Sequence, residues 1–157
     1  MTIYQGILEV SSVKTVAKDT KKICFSVQTQ EPLSGQSPLN KKYSLSFLAG
    51  QFISLQFTDT AWRAYSIASP PSEEKIELII RLIPGGIASD IWEKVVVGQT
   101  FTFKGPFGDF LLSKNQESNL IFCATGTGIA PLRSMILTEN KKQSPRPMKL
   151  FYGGRNT

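Results

Sequence analysis

Six short strand candidates, separated by clusters of glycine, proline and serine, occupy the first two thirds of this 157-residue chain. Apolar and polar residues alternate most clearly from Phe52 to Phe57, the pattern of a strand with one buried face. Strands of this length and number predict a small antiparallel barrel. The polar segment Glu31–Lys42 between them predicts a long exposed loop. The candidate strands are Ile3–Val13, Lys22–Gln28, Gln51–Phe57, Trp62–Ser69, Lys75–Ile83 and Thr100–Lys104.

A short helix and a β-α-β pattern complete the chain. The helix Ala88–Val95 places Ile91, Trp92 and Val95 on one face, and we expect it to cap the barrel. After residue 108 a buried strand, a glycine turn, a helix and a second strand predict two parallel strands joined by a right-handed crossover. A doubly wound sheet carries about five or six strands, so these two form only its beginning. The predicted bounds are Leu120–Ala124, Pro131–Glu139 and Met148–Tyr152.

The absence of histidine from the chain excludes several kinds of active site. Serine and cysteine triads and histidine metal sites need imidazole, so none is expected here. Two cysteines, Cys24 and Cys123, are too few for an iron–sulfur cluster or a four-thiolate zinc site, and we expect no bound metal. Both lie in apolar runs, which predicts buried, reduced thiols. With no signal peptide and no apolar run of membrane-spanning length, we expect a cytoplasmic protein.

The net charge of +6 is concentrated toward the end of the chain. A basic segment indicates either an acidic partner or a solvated loop that carries lysines, and the loop is the more common case. Nucleic acid is not an expected partner, because the phosphate-suited residues are not interleaved with exposed aromatic residues along a groove. Between positions 139 and 157 the basic residues are Lys141, Lys142, Arg146, Lys149 and Arg155, against the single acidic residue Glu139.

A group of polar side chains lies on the fourth strand candidate. Alternation puts Arg63 and Tyr65 on one face, where the guanidinium suits a phosphate and the phenol ring offers a flat surface for a planar heterocycle. Ser66 points to the other face of an ideal strand, so it would reach the same ligand only if the strand twists or bends there. A solvent-facing arginine and tyrosine without a ligand is an equally good interpretation of these residues alone.

Two glycine segments also suit phosphate binding. The first leads through Gly85 and Gly86 into a helix whose first amides are free, although a plain turn in which Ser89 caps the helix is the simpler interpretation. The second, residues 124–131, lies between a buried strand and a helix, where dinucleotides approach a backbone. Pro131 occupies the third glycine position of the G-x-G-x-x-G pattern, so this segment is a weaker indication than the full pattern.

Five motifs follow one another along the chain: Arg63-Ala64-Tyr65-Ser66 with Ser69, Gly85-Gly86-x-x-Ser89, Gly105-Pro106-Phe107-Gly108, Gly126-Thr127-Gly128-Ile129-Ala130-Pro131, and Phe151-Tyr152-Gly153-Gly154-Arg155. In this order they resemble the ferredoxin-NADP reductase superfamily. The resemblance implies a six-stranded antiparallel Greek-key flavin-binding barrel with a capping helix in residues 1–112. It also implies the first β-α-β part of a doubly wound NAD(P)-binding domain in residues 113–157. Members pass a hydride from NAD(P)H to FAD or FMN, chemistry that needs no histidine because the cofactor supplies it.

The same resemblance implies roles for individual residues. Arg63 would hold a flavin phosphate, Tyr65 would pack on the ribityl chain and isoalloxazine ring, and Ser66 would bond near N5. Thr127 would lie beside the isoalloxazine where nicotinamide docks, so Tyr65, Ser66 and Thr127 are the predicted catalytic residues. Arg81 would contact the flavin largely through its backbone, and Gly126 and Gly128 would admit the nicotinamide nucleotide. The other predicted cofactor-binding residues are Ala64, Ile80, Leu82, Gly86, Ile87, Ala88 and Ser89.

The resemblance further implies FAD as the cofactor, with FMN the less common choice, and NAD(P)H as the reductant. Electrons would pass on to an acceptor protein or a small-molecule acceptor. After Arg155 the family continues with a cysteine-glycine-proline segment and adenosine-binding loops that this sequence does not contain. A second hypothesis therefore stays open, a non-catalytic flavin-binding or electron-relay module whose nucleotide site is completed by a partner chain.

Overall fold

A long antiparallel hairpin, β1 (Tyr4–Ala17) and β2 (Thr20–Pro32), forms one wall of the barrel. The computed structural model describes residues 2–33, 44–86, 88–113, 115 and 119–154. Asp19 turns the hairpin with a positive φ of 55°, a conformation that aspartate tolerates in turns. The start of the predicted exposed loop, Glu31 and Pro32, belongs to β2, and the loop from residue 34 onward lies outside the described residues.

Four further strands complete a six-stranded sheet in which every pairing is antiparallel. The strand order is β4-β3-β6-β1-β2-β5, and a bridge between Ile67 and Leu78 joins the two edge strands, so the sheet closes into a barrel. Because β6 lies between β3 and β1, the chain follows a Greek-key path, and the predicted barrel is confirmed. The four strands are β3 (Phe52–Gln56), β4 (Trp62–Ser66), β5 (Ile76–Arg81) and β6 (Thr100–Phe107).

Alternate strand positions fill the barrel with apolar side chains. In β5 three alternate residues are buried, whereas Glu77 and Arg81 point away from the interior. The helix α1 (Ser89–Glu93) covers the barrel through Trp92, whose side chain is 1% exposed and packs with the core. The predicted capping helix is therefore confirmed. It ends two residues earlier than predicted, because Lys94 leaves the helical conformation.

A β-α-β unit follows the barrel, as predicted. Its two strands pair in parallel, and its helix packs Leu132 and Met135 against Phe122 of the first strand. The helix begins two residues before Pro131, which lies in the first turn, where a missing amide leaves no hydrogen bond unmade. The elements are β7 (Leu120–Thr125), a 3-10 turn (Gly126–Gly128), α2 (Ile129–Asn140) and β8 (Met148–Gly153).

The two cysteines occupy different environments. Cys24 is buried, as predicted, but Cys123 is exposed, so the prediction of two buried thiols is wrong for Cys123. Side chains alternate along β7, so that Phe122 faces α2 whereas Ile121 and Cys123 lie on the opposite face of the strand. Ile121 is 68% exposed, since no element in the described part of the chain covers that face.

The expectation of a solvated basic end holds for Lys141, Lys142 and Lys149 and fails for Arg146, while Arg155 lies outside the described residues. Lys141 and Lys142 are exposed, but Arg146 is 4% exposed and forms an ion pair with the fully buried Glu139. Its Nη1 also donates to the main-chain carbonyls of Ser113 and Asn115, at 2.9 Å each. Arg146 therefore joins the end of α2 to the segment that leads into β7.

None of the described helices is long and apolar enough to cross a membrane.

Candidate functional site

A groove of about 960 Å³ separates the barrel from the β-α-β unit. On the barrel side it is lined by Ile79 and Arg81 of β5 and by residues 16–20 at the tip of the β1–β2 hairpin. On the other side it is lined by residues 125–127 and 152–154, which lie at the carboxyl ends of β7 and β8. Open α/β sheets bind their ligands at the carboxyl ends of parallel strands. The groove is therefore the natural ligand site of this unit, with the barrel as its second wall.

The glycine turn after β7 leaves room for a ligand to approach its backbone. Gly126 has a positive φ of 51°, which favours glycine, and a Cβ atom placed on Gly126 or Gly128 would meet nothing within 4 Å. Gly126 and Thr127 line the groove opposite Arg81, so the structure brings these three predicted site residues together. The hydroxyl of Tyr152 donates to the Gly126 carbonyl at 3.3 Å, which steadies the turn.

Helix α2 is tied to the barrel through Glu77. Nη1 of Arg133 donates to Oε2 of Glu77 and to the Ala68 carbonyl, both at 2.6 Å. Nζ of Lys22 lies 3.1 Å from the other carboxylate oxygen of Glu77. Burial opposes the ionisation of Glu77, but the hydrogen bond from Lys22 and the charges of Arg133 and Lys22 outweigh it, so the pKa of Glu77 lies below its usual value. A hydrogen bond from Ser134 Oγ to the buried carbonyl of Ser69, 2.6 Å long, adds to this attachment.

Arg63 and Tyr65 lie on β4, the edge strand that meets β5 at the bridge described above. Arg63 is exposed, and its Nη1 donates to the carbonyl of Trp62 at 2.9 Å. Tyr65 is half-buried, and its hydroxyl accepts a hydrogen bond of 2.8 Å from Nε1 of Trp92. Burial raises the pKa of Tyr65 above 10.0, and the Trp92 hydrogen bond and the Arg63 charge offset only part of that rise. Tyr65 therefore offers a neutral ring beside a guanidinium.

Four other predicted residues lie on β4 or at the end of β5. Ser66 is the last residue of β4 and is half-buried, and Ala64 is exposed. Ile80 is 2% exposed, so its side chain belongs to the core. The amide of Leu82 donates to the carbonyl of Asp19 at 2.7 Å, which holds the end of β5 against the hairpin tip.

The turn that follows β5 is closed by Ser89. Its Oγ accepts a hydrogen bond of 2.8 Å from the Ile83 amide, and its own amide donates to the Gly86 carbonyl at 2.8 Å. Gly86 is held in turn by a 2.9 Å bond from its amide to the Ile83 carbonyl. The Ser89 hydroxyl thus stabilises the turn, and α1 has no side-chain cap at Ala88. The predicted contact Ile87 lies outside the described residues.

The donors and spaces on this surface fit a phosphate-bearing planar heterocycle such as FAD. A guanidinium suits a phosphate, a half-buried phenol ring suits an aromatic ring, and a hydroxyl suits a ring nitrogen that accepts or donates a hydrogen bond. Arg63, Tyr65 and Ser66 supply these three groups within four residues of β4. The open turn at Gly126 and Gly128 supplies the space that a second nucleotide needs.

The sequence does not predict the contacts of several residues of this site. Trp92 is predicted as a core residue, but nothing in its local pattern shows its bond to Tyr65. Glu77 and Arg133 are 56 positions apart in the sequence. The one local indication of a partner for Glu77 is that its carboxylate lies at an outward position of an apolar strand. The hairpin tip at residues 16–20 reaches the groove because β1 extends four residues beyond the predicted end at Val13 and β2 starts two residues before the predicted Lys22.

Two family models match the chain. The oxidoreductase FAD-binding domain matches residues 7–111, and the oxidoreductase NAD-binding domain matches residues 122–157. The reductase component DmpP of phenol 2-monooxygenase from Pseudomonas sp. (strain CF600) is 37% identical over 115 residues, which cover 71% of this chain and 33% of the relative. The chain spans about a third of the length of the curated relatives it matches, from 33% to 37% for the first three.

Two solved structures are similar over almost the whole chain. The Amycolatopsis cytochrome P450 reductase GcoB has a TM-score of 0.82 and 26% identity, with 98% of this chain and 44% of that chain covered. A ferredoxin NADP+ reductase from Neisseria gonorrhoeae, solved with bound FAD and NADP, has a TM-score of 0.73 and 25% identity, with 94% and 56% covered. The barrel and the β-α-β unit therefore have the same arrangement in these reductases as in this chain.

Proposed function

Because this chain belongs to the oxidoreductase FAD-binding domain family, we propose that it is the flavin-binding part of a reductase that takes a hydride from NAD(P)H and passes electrons to an acceptor. The family match confirms the expected resemblance to the ferredoxin-NADP reductase superfamily, and the second match agrees with NAD(P)H as the reductant. FAD is the cofactor of this proposal. The division into a flavin-binding barrel at residues 1–112 and an incomplete NAD(P)-binding part at residues 113–157 remains a prediction.

One observation carries the proposal: Arg63 and Tyr65 lie together on β4, the strand that closes the barrel onto β5, and β5 contributes Ile79 and Arg81 to the groove. Arg63 is exposed, and in the proposed site its guanidinium binds a flavin phosphate. The hydrogen bond from Trp92 fixes the Tyr65 hydroxyl, so the Tyr65 ring presents a fixed surface to the flavin. Ser66, at the end of the same strand, donates or accepts a hydrogen bond at the ring nitrogen.

The opposite wall of the groove serves the reductant in this proposal. Thr127, with Gly126 and Gly128 on either side, orients the nicotinamide nucleotide, because the open glycine turn lets its backbone come close. Arg81 faces this turn across the groove and contacts the flavin through its backbone. When bound, the flavin supplies the hydride-accepting and electron-passing chemistry. The chain's own residues hold the two partners in one orientation and exclude water from between them.

The remaining predicted contacts supply backbone groups. Ala64 follows Arg63, Ile80 and Leu82 flank Arg81, and the turn residues Gly86, Ala88 and Ser89 come after β5. Ser89 acts by keeping the turn closed, since its hydroxyl is engaged by the Ile83 amide. We propose an electron acceptor of the oxygenase type or an iron–sulfur carrier that serves one, because the similar protein from Pseudomonas is the reductase component of a monooxygenase.

A second candidate function is favoured by the uncovered face of the β7–β8 pair. Ile121 is 68% exposed and Phe151 is 60% exposed, which is costly for apolar residues of neighbouring strands. In this alternative the chain binds flavin and relays electrons, and a partner chain covers the face and completes the nucleotide site. The two functions share the flavin site and differ in whether this chain alone accepts electrons from a nicotinamide nucleotide.

The test uses the purified 157-residue chain. We expect a yellow protein that takes up added FAD, with uptake measured by titration of flavin fluorescence and by the retained visible absorption after gel filtration. Anaerobic NADH and NADPH are then added separately, and loss of flavin absorption with either one supports the reductase. A flavin-loaded chain that neither nucleotide reduces supports the relay module. A chain that takes up neither FAD nor FMN contradicts both functions.

A further inference from the structure

Trp92 lies beneath the strand that carries Arg63 and Tyr65, although it belongs to α1. Its indole Nε1 donates to the Tyr65 hydroxyl at 2.8 Å. The two rings are almost perpendicular, at 88°, with centroids 5.7 Å apart. Trp92 is 1% exposed, whereas Tyr65 is half-buried. The buried indole therefore holds the inner end of a side chain whose other surface is open to a ligand.

The indole itself has little freedom to move. Its ring packs against Phe101 with centroids 4.7 Å apart and against Phe57 with centroids 5.3 Å apart. The main-chain carbonyl of Trp92 accepts a 2.9 Å hydrogen bond from Nζ of Lys21 on β2. A tryptophan fixed by aromatic packing and by its own backbone is a rigid donor, so the hydroxyl that it binds is fixed as well.

The direction of this hydrogen bond is set by chemistry. An indole N–H can only donate, so the Tyr65 oxygen accepts and keeps its own proton for another acceptor. Among the described residues Trp92 is the hydrogen-bond partner of this hydroxyl. Arg63 lies two positions earlier on the same strand, close enough for its charge to act on the Tyr65 hydroxyl. A ligand oxygen beside Arg63 would therefore receive both a positive charge and the phenolic proton.

We propose that Trp92 is a positioning residue for the flavin, because its N–H fixes the Tyr65 ring and directs the phenolic proton toward a ligand oxygen next to Arg63. The inference rests on the proposed flavin site and adds a residue that does not touch the ligand. It also links two parts of that site, since Trp92 belongs to the helix that follows the Gly86–Ser89 turn, and Tyr65 belongs to β4.

The test compares Trp92→Phe with Trp62→Phe, the other tryptophan of the chain. Trp62 packs under Lys104, whose Nζ lies 4.4 Å from the ring centroid, and it makes no bond to Tyr65 through its side chain. We expect Trp92→Phe to raise the FAD dissociation constant about tenfold, the effect of one lost hydrogen bond to a site residue. The visible circular dichroism of bound FAD should change as well. Trp62→Phe should change neither property.

A third variant separates positioning from packing. Tyr65→Phe keeps the ring and removes the hydroxyl, so it should weaken FAD binding as much as Trp92→Phe, and the double variant should be no weaker than either one. Additive losses in the double variant would mean that Trp92 acts by packing alone and would overturn the inference. If Trp92→Phe does not fold, Tyr65→Phe decides by itself, since unchanged FAD affinity and dichroism would also overturn it.

Failure of this inference is distinct from failure of the proposed function. A wild-type chain that takes up no flavin contradicts the flavin site, and with it the role of Trp92. A wild-type chain that binds FAD, together with variants at positions 92 and 65 that bind it equally well, contradicts the role of Trp92 and leaves the flavin site standing.

Discussion

Arg133 of α2 donates to Glu77 of β5 over a distance of 2.6 Å between Nη1 and Oε2. The same nitrogen donates to the carbonyl of Ala68, just after β4. Because α2 follows directly on the glycine turn that lines the groove, this side chain, together with the Ser134 bond to Ser69, holds that turn in position relative to the barrel. The two walls of the proposed site are thus held in place by a contact outside it.

Removing this contact should slow electron transfer without weakening flavin binding. Arg133→Ala leaves α2 attached to the barrel mainly through the Ser134 bond to Ser69, so the nucleotide is held less well against the flavin, and we expect the rate of flavin reduction by NAD(P)H to fall about tenfold or more. The FAD dissociation constant should stay within about twofold of the wild-type value, because β4 and β5 carry that site. Stopped-flow anaerobic reduction and FAD titration measure the two quantities. Lys141→Ala is the control, since its ion pair with Glu73 is exposed on both sides; equal reduction rates in the two variants would refute the prediction.

The buried ion pair of Glu139 and Arg146 should be important for stability. Glu139 is fully buried, and its two oxygens accept bonds of 3.0 and 2.9 Å from Nε and Nη2 of Arg146. Glu139→Gln leaves a buried guanidinium without its counter-charge, and we expect the melting temperature to fall by about 5 °C or more. Glu73→Gln, at an exposed ion pair, should change it by about 1 °C or less. Thermal unfolding followed by circular dichroism provides the comparison, and similar shifts in both variants would contradict it.

The same pair predicts a dependence of stability on pH. The Arg146 hydrogen bonds, opposed in part by burial, lower the pKa of Glu139 from 4.5 to about 2. A carboxyl whose pKa is lower in the folded chain stabilises it fully above its unfolded pKa, and the contribution is lost as the pH falls through the folded pKa. We therefore expect the melting-temperature difference between wild type and Glu139→Gln to be constant above about pH 5 and to shrink from there toward about pH 2. A difference that grows on acidification would show that another group is responsible.

Gly128 offers a way to detect the nucleotide without disturbing the fold. Its φ of −60° and ψ of −12° suit any residue, and a Cβ atom there would meet nothing within 4 Å, so Gly128→Ala should leave the melting temperature unchanged or slightly higher. If the nucleotide lies against this turn, the new methyl group stands in its way. We expect the NAD(P)H concentration for half-maximal reduction rate to rise about tenfold at unchanged FAD affinity. If the dependence of the reduction rate on NAD(P)H concentration is unchanged, the nucleotide does not bind against Gly128.

Arg63 should distinguish flavins by their phosphates. If its guanidinium binds a phosphate, Arg63→Ala should weaken FAD and FMN binding about tenfold to a hundredfold, the usual effect of a charged hydrogen bond. Riboflavin, which has no phosphate, should bind equally well to wild type and variant. Lys104→Ala, which removes a cation from the neighbouring part of the sheet, is the matched control and should leave all three affinities unchanged. Equal losses of affinity for riboflavin and FMN would show that Arg63 contacts the flavin ring and not the phosphate.

Local sequence patterns predict which segments form strands and helices, but they predict the first and last residues of those elements only in part. Alternation in β3 and the apolar run of β7 identify strands because the pleat puts every second residue on one face. The β1–β2 hairpin runs through residues 14–22, which are mostly polar and which no alternation marks as strand. Pairing between the two strands carries the sheet through this segment, because backbone hydrogen bonds between strands do not depend on the side chains.

The candidate site divides in the same way. Arg63, Tyr65, Ser66 and the glycine turn are visible as motifs, since ligand chemistry requires particular residue types at short spacings. Their roles remain predictions that the variants above test. The burial of individual side chains is harder to predict from the sequence than these motifs are. Cys123 and Arg146 have neighbours typical of a buried and of an exposed residue, respectively, and each occupies the opposite environment.

The sequence by itself determined the order of strands and helices and the family of the chain, and it predicted the side chains that a flavin nucleotide would meet, because periodicity and motif spacing are local properties. Only the tertiary structure decided which of these side chains touch. Trp92 meets Tyr65 across 27 positions, and Arg133 meets Glu77 across 56. Such contacts depend on strand order and register in the closed barrel and on where α2 docks, which are settled by the packing of the whole chain and are not encoded in any one segment.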